Sequence, residues 1–238
     1  MKKISTIAVL SAMESELENF IPYMTNIKKK RIDSLTYHIG EIGRFVIIGL
    51  VTGIGQTNSA FSTGALVHHF NPDMLVFNGI AGAINKKLDI GDIVVGKTVF
   101  SAEILSLKTK INGYYRKRKN CSFPDVKFTI SEFIEERVKK LSDKLVEKVR
   151  FGTFATSDFF PVPDYIPEKF YNKIVDTIDM ESAAFYQVCK KLKKPCLAIR
   201  SISNYAEPGK KVKLGRDVIQ FASKKASEFS NEFILSLE

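Results

Sequence analysis

Several short segments of this chain open on continuous apolar runs, without alternation, among them residues 74–78, apolar up to Asn78, and 196–203, apolar up to Arg200. A strand with one wet face alternates apolar and polar side chains; a strand covered on both faces need not. Such runs therefore call for a sheet sandwiched between helices. The remaining pattern agrees. Strands are expected at 4–10, 74–78, 92–95, 98–104, 151–156 and 196–203, and a hairpin at 36–39 and 44–51, turned near residues 40–43. Helices are expected at 14–23, 56–70, 131–148, 182–192 and 212–237, with Ser131 as a cap. Residues 108–121 read as a mobile basic stretch and 161–167 as a proline-rich loop. The expected fold is α/β: one three-layer domain over residues 1–238, with a central mixed, largely parallel twisted sheet flanked by helices.

Composition narrows the function classes. The chain is 45% hydrophobic and 26% charged, in the range of an ordinary soluble globular protein. Met1-Lys2-Lys3 before a short apolar run has the outline of a signal peptide, but the run leads straight into a helix start at Met13-Glu14-Ser15-Glu16, so a first core strand is expected instead. No segment is long and apolar enough to suggest a membrane span. Three scattered cysteines, Cys121, Cys189 and Cys196, fit reduced thiols in a cytoplasmic protein, and no Cys or His spacing suggests a zinc site. The net charge of +10 is distributed in small groups, at 28–30, 116–119, 190–194 and 210–213. That reads as a solvated basic surface rather than a nucleic-acid site.

In folds of this class, ligands lie beyond the carboxyl ends of the strands. The residues there are Met13 and Glu16, then Gly53-Ile54-Gly55, Asn78-Gly79-Ile80-Ala81-Gly82, Thr156-Ser157-Asp158, Met180-Glu181 and Ser203-Asn204. Gly53-Ile54-Gly55 begins like a dinucleotide fingerprint, but Asn58 stands where the third glycine belongs, so no nicotinamide cofactor is expected. Glu16 falls in the first turn of a helix, where a solvated carboxylate is the plain reading. Glu181 sits among apolar neighbours, where an unpartnered carboxylate is costly and sugar hydroxyls are suitable partners.

The ordered set Ala12-Met13-Glu14-x-Glu16, Gly53-Ile54-Gly55, Asn78-Gly-Ile-Ala-Gly82, Leu88-x-Ile-Gly-Asp92, Thr156-Ser157-Asp158-x-Phe160, Asp179-Met180-Glu181 and Arg200-Ser-Ile-Ser203 spans nearly the whole chain. It resembles the purine nucleosidases of the nucleoside phosphorylase family, most of all those acting on 5′-methylthioadenosine and S-adenosylhomocysteine. The resemblance implies hydrolysis of a purine N-glycosidic bond, with no metal, no cofactor and a homodimeric enzyme. It assigns Glu16 to activating water, Arg200 to positioning it, Glu181 to the ribose hydroxyls and Met180 to the sugar face. Phe160 and Pro161 would hold the purine, with Gly82 beside it. Met13, Ile54, Ile80 and Leu214 would line the sugar and its 5′ substituent. Phosphorylases of this family carry an arginine where this chain has Phe77, which favours water over phosphate as the nucleophile.

One position departs from the pattern. Adenine-releasing members end the last strand in Ser-Asp, and that aspartate protonates purine N7; here the pair is Ser203-Asn204. An amide donates a hydrogen bond but gives up no proton at neutral pH. Three readings stay open: adenine release with N7 only hydrogen-bonded, a 6-oxopurine substrate as in futalosine hydrolase, or a member that binds ligand without turnover. Ile80 and Leu214 also depart from the residue types usual in the nucleosidases, which leaves the 5′ substituent open.

Overall fold

A computed structural model of the chain describes residues 4–102, 128–144, 149–159, 175–206 and 214–238. The strands are β1 (Thr6–Ser11), β2 (Thr25–Ile32), β3 (Leu35–Ile42), β4 (Phe45–Val51), β5 (Met74–Ala83), β6 (Ile93–Ser101), β7 (Phe128–Thr129), β8 (Val149–Thr156), β9 (Thr177–Asp179) and β10 (Cys196–Tyr205). The helices are α1 (Glu14–Phe20), α2 (Gln56–Phe70), α3 (Glu132–Ser142), α4 (Ser182–Lys191) and α5 (Arg216–Leu235). A 3₁₀ turn at Ile21–Tyr23, with Pro22 in its first positions, takes over from α1.

All ten strands belong to one sheet, and part of it closes on itself. β5 pairs with β10, β10 with β6, β6 with β8, β8 with β9, and β9 back onto β5. β5 can serve both arms because its edge is divided. Residues 74–77 pair with β1, whereas Gly82 and Ala83 pair with β9. From β1 the sheet continues outward through β4, β3 and β2.

The sheet is mixed rather than largely parallel. β1–β4, β1–β5, β5–β10, β6–β8 and β8–β9 are parallel; β2–β3, β3–β4, β5–β9, β6–β7 and β6–β10 are antiparallel. Continuous apolar runs report burial of both faces, and a barrel wall covered by helices meets that condition whatever the strand direction.

Helices cover the wall on separate sides. α1 packs with α5, which lies on β5 and β10; α4 lies against β6, β8 and β10 and packs with α2. The side chains of Ile7 to Leu10, Met74 to Phe77 and Leu197 to Ile199 are wholly buried between these layers. Phe77 and Phe185 meet edge-on at 5.2 Å and join β5 to α4. Each such ring contributes on the order of 2–3 kcal/mol by leaving water. Among the described residues no helix is long and apolar enough to cross a membrane.

Most of the expected elements are present, with shifted bounds. The strands expected at 92–95 and 98–104 are one strand, β6, whose register slips between Gly96 and Thr98. The hairpin turn lies at Gly43 (φ +53°), the last of the residues expected, because β3 runs on through Gly40 to Ile42. β5 likewise runs on through Gly79 to Ala83. The closing helix begins at Arg216, and the helix expected to reach 148 is observed as α3. The stretch at 108–121, the loop at 161–167 and Cys121 lie outside the described residues. Cys189 and Cys196 are free thiols, the first buried and the second partly so.

Candidate active site

The residues that follow β1, β4, β8 and β9 meet the C-terminal halves of β5 and β10 around one cavity of about 200 Å³. Met13, Glu16, Ile54, Ile80, Gly82, Met180, Glu181, Ser203, Asn204 and Leu214 all line it. Arg200 lies behind this wall, fully buried. Phe160 and Pro161 lie outside the described residues. Ala12, Ala81 and Asp179, which stand in the motifs above without an assigned role, complete the lining together with Phe159 and Ile178, which were not anticipated.

Glu16 is 1% exposed. A helix of seven residues is too short to be stable alone, so this side chain depends on tertiary contacts. Its Oε2 accepts hydrogen bonds from the amides of Ala12 (2.8 Å) and Met13 (2.9 Å), and its Oε1 accepts from the amide of Ile80 (2.9 Å). Burial raises its pKa above the ordinary carboxylate value, opposed by the charge of Arg200 and by those three amides. A carboxylate displaced upward in this way is a stronger base near neutral pH.

Glu181 caps the start of α4 and is also buried. Its Oε1 accepts from the amide of Gly55 (3.0 Å), and its Oε2 faces Arg200 Nη2 at 3.4 Å. Gly55 has φ +98° as the cap of α2, a conformation that favours glycine, so this loop aims an N-terminal helix amide at a carboxylate. Burial pushes the Glu181 carboxyl up to about 8; Arg200 and the Gly55 amide pull the other way, while Asp179 and Glu16 add to the rise.

Arg200 ties the acids together. Its Nε donates to Asp179 Oδ2 (3.0 Å), Nη2 donates to Ser182 Oγ (3.1 Å) as well as to Glu181, and the guanidinium lies 4.6 Å over the Phe77 ring. Asp179 in turn accepts from Thr156 Oγ1 (2.6 Å), the Ser182 amide (3.2 Å) and the Ser182 hydroxyl. Three buried carboxyl groups share one cation; burial is the main reason Glu16 and Glu181 resist ionisation, and Arg200 offsets it only in part. Nη1 of Arg200 has no protein partner. It lies beside Gly79, where a Cβ would stand 2.2 Å from Nη1 and 2.7 Å from Glu16 Oε1. Glycine at 79 therefore lets Arg200 and Glu16 close in on β5, where any side chain would collide with both.

At the far end of the cavity Ser203 Oγ donates to Asn204 Oδ1 (2.9 Å) and lies 3.3 Å from the Ala81 carbonyl. With its oxygen engaged, the amide presents Nδ2, which is buried and has no partner. An unpaired buried donor is costly unless a ligand meets it. No lysine or arginine stands among the described residues lining the cavity. Among the described residues no group of three His, Cys, Asp or Glu is placed to hold a metal ion.

Asp179 and Gly79 stand in the motifs read from sequence but were given no role there; an acid beside Met180-Glu181 signals a paired charge. Ile178 and Phe159 gave no such signal, since an apolar residue near a strand end is as well explained by the core.

Fold and cavity together define an α/β protein with a carboxylate-lined cleft for a small ligand. The chain belongs to the phosphorylase superfamily, whose family model matches residues 6–237. It is 30% identical to the 5′-methylthioadenosine/S-adenosylhomocysteine nucleosidase of Bacillus subtilis, over 97% of each chain. The S-adenosylhomocysteine nucleosidase of Streptococcus pyogenes, solved in complex with 5-methylthiotubericidin, matches with a TM-score of 0.84 at 24% identity, covering 98% of this chain and 97% of that one. The futalosine hydrolase of Helicobacter pylori matches with a TM-score of 0.83 at 19% identity over 97% of each chain.

Proposed function

We propose that this protein is a purine nucleosidase that hydrolyses the N-glycosidic bond of 5′-methylthioadenosine and S-adenosylhomocysteine, releasing adenine. One observation carries the reading: Glu16 and Glu181, 165 positions apart in sequence, border one cavity and share the field of Arg200. Glu16 takes a proton from a water held on the cavity side of its carboxylate, with the charge of Arg200 behind it. The water oxygen bonds to C1′, the C1′–N9 bond breaks, and its electron pair leaves with the purine. Glu181 accepts hydrogen bonds from the ribose hydroxyls, and Met180 packs on the sugar. Met13, Ile54, Ile80 and Leu214 enclose the 5′ side, and Gly82 leaves room beside Asn204, whose amide a Cβ there would approach to 3.0 Å. Phe160 and Pro161 hold the purine ring, and Asn204 Nδ2 donates to N7 while Ser203 fixes the amide.

Water is the nucleophile because the described lining offers no cation to hold phosphate, and Arg200 already serves two carboxylates. The chain acts as one domain, in the cytoplasm, without cofactor, nucleic acid or membrane. It works as a homodimer, for which the exposed side chains of Ile54 and Phe61, beside and on the first turns of α2, supply an apolar face.

A second reading, a 6-oxopurine nucleoside as substrate, is favoured by the free donor of Asn204, which suits an O6 acceptor as well as N7. Incubation with methylthioadenosine, adenosylhomocysteine, inosine and futalosine, with and without phosphate, separates these readings when free base is followed by chromatography. Adenine release independent of phosphate is expected. Hypoxanthine from inosine or futalosine alone would install the second reading, and no base from any of the four would leave a binding protein.

A further inference from the structure

Helix α5 buries Ser223, Ser227 and Ser230 completely, in a face otherwise made of Ala222, Ala226, Phe229, Phe233 and Ile234. Buried hydroxyls weaken a core unless they are paired. Two of these three are paired, with Asn78, a wholly buried amide in the middle of apolar β5. Asn78 Oδ1 accepts from Ser230 Oγ (3.0 Å), and its Nδ2 lies 3.2 Å from Ser227 Oγ, 3.4 Å from Ser11 Oγ and 3.4 Å from the main-chain carbonyl of Glu16. Ser227 Oγ donates to the same carbonyl at 3.4 Å. Consecutive residues of one strand thus hold one residue from both ends. Asn78 contacts the carbonyl of Glu16, the Ile80 amide binds its carboxylate, and Gly79 between them lets that carboxylate approach the strand closely.

We propose that Asn78, backed by Ser227 and Ser230 of α5, is a positioning residue for Glu16, fixing the short helix α1 so that the carboxylate stands at a set distance from C1′ of the bound nucleoside. The proposal rests on the reading of Glu16 as the base that activates water. Purely structural service to the core would not require the network to end on the carbonyl of that one residue. Both contacts to the Glu16 carbonyl are long for a hydrogen bond, at 3.4 Å, so they act as a set: Nδ2 of Asn78 and the Ser227 hydroxyl converge on one carbonyl, and losing either leaves the other in place.

The test uses Ser227→Ala and Asn78→Ala in the full chain, with kcat, KM, the pH–rate profile and Tm measured on whichever nucleoside the wild type cleaves. Ser227→Ala removes one hydroxyl and adds a better helix former, so a stable variant is expected. A positioning role predicts that its kcat falls by about threefold to tenfold with KM within about twofold, since a small misplacement of a reacting group is enough. Asn78→Ala is expected to lose about tenfold or more in kcat and to move the pH limb governed by Glu16. Unchanged kcat and pH limb in both variants, with only Tm lowered, overturns the proposal. If Asn78→Ala does not fold, Ser227→Ala decides alone. If the wild type cleaves no nucleoside, the proposed function has failed, and the clamp is read from the carbon-13 titration of the Glu16 carboxyl: a midpoint moved by Ser227→Ala supports it, and an unmoved one overturns it.

Discussion

Gly79→Ala is the sharpest perturbation the site offers. The new methyl would stand 2.2 Å from Arg200 Nη1 and 2.7 Å from Glu16 Oε1, more than half an ångström inside ordinary contact in each case. Gly79 is not among the glycines with positive φ, so alanine meets no backbone penalty and the clash is the whole effect. Neither neighbour can easily give way. Arg200 is held by Asp179, Ser182 and Glu181 over the Phe77 ring, and Glu16 by three amides. Overpacking of this kind costs roughly 1–3 kcal/mol, or about 2–12 °C in Tm for a chain of this size. The kinetic loss should exceed the stability loss, because a shift of about 1 Å at a reacting group costs on the order of 100-fold. The assay is kcat and KM on methylthioadenosine with Tm alongside. Gly215→Ala serves as the control, since nothing stands within 4 Å of its added Cβ. A Gly79→Ala enzyme with kcat within about twofold of wild type would refute the idea that the close seat of Arg200 and Glu16 on β5 sets the position of the base.

Three further outcomes follow from the same geometry. Asn204→Asp restores a group able to carry a proton to N7; turnover of adenine nucleosides should rise by about tenfold or more, up to the roughly 10,000-fold upper end of what a general acid contributes, and an unchanged or lower rate would refute the proton-donor account. Because the Glu181 carboxyl is pushed up to about 8 from 4.5, the folded protein binds a proton that the unfolded chain has lost. The stability that proton supplies is full below about pH 4.5 and is lost progressively up to about pH 8, at about 1.4 kcal/mol per pH unit at most. Glu181→Gln should therefore flatten the fall in Tm between pH 5 and 8.5, and an unaltered slope would contradict the assignment. Gly64→Ala, in the interior of α2 with open space at its Cβ, should stabilise the protein by about 0.5–1 kcal/mol with activity intact, read from Tm and kcat.

The sequence was most legible where burial imposed a period and least where it did not. β1, β5 and β10 stand out because both of their faces are covered. β2 was not anticipated: its residues are almost all exposed, Lys28 to Arg31 among them, so hydrophobicity gave no sign of a strand, and only pairing with β3 makes one. β7 and β9 are too short to leave a pattern. Glycine misled in a particular way. Gly79 and Gly82 look like turn residues, yet both lie inside β5, where the missing side chain makes room for Arg200, Glu16 and Asn204. Of the two acids, Glu16 looked like a solvated helix residue, and its burial depends on β5 and β10 arriving from far along the chain. The closed sheet was hidden for the same reason, since β5 changes partners midway along one edge and no local pattern records that.

The central claim is that water, activated by Glu16, replaces the purine at C1′. It is tested most directly by turnover in ¹⁸O-labelled water, with the released sugar analysed by mass spectrometry. One labelled oxygen per sugar, lost together with base release in Glu16→Gln, is the predicted result. Base release that requires phosphate and yields a sugar phosphate, or that continues undiminished in Glu16→Gln, would contradict it.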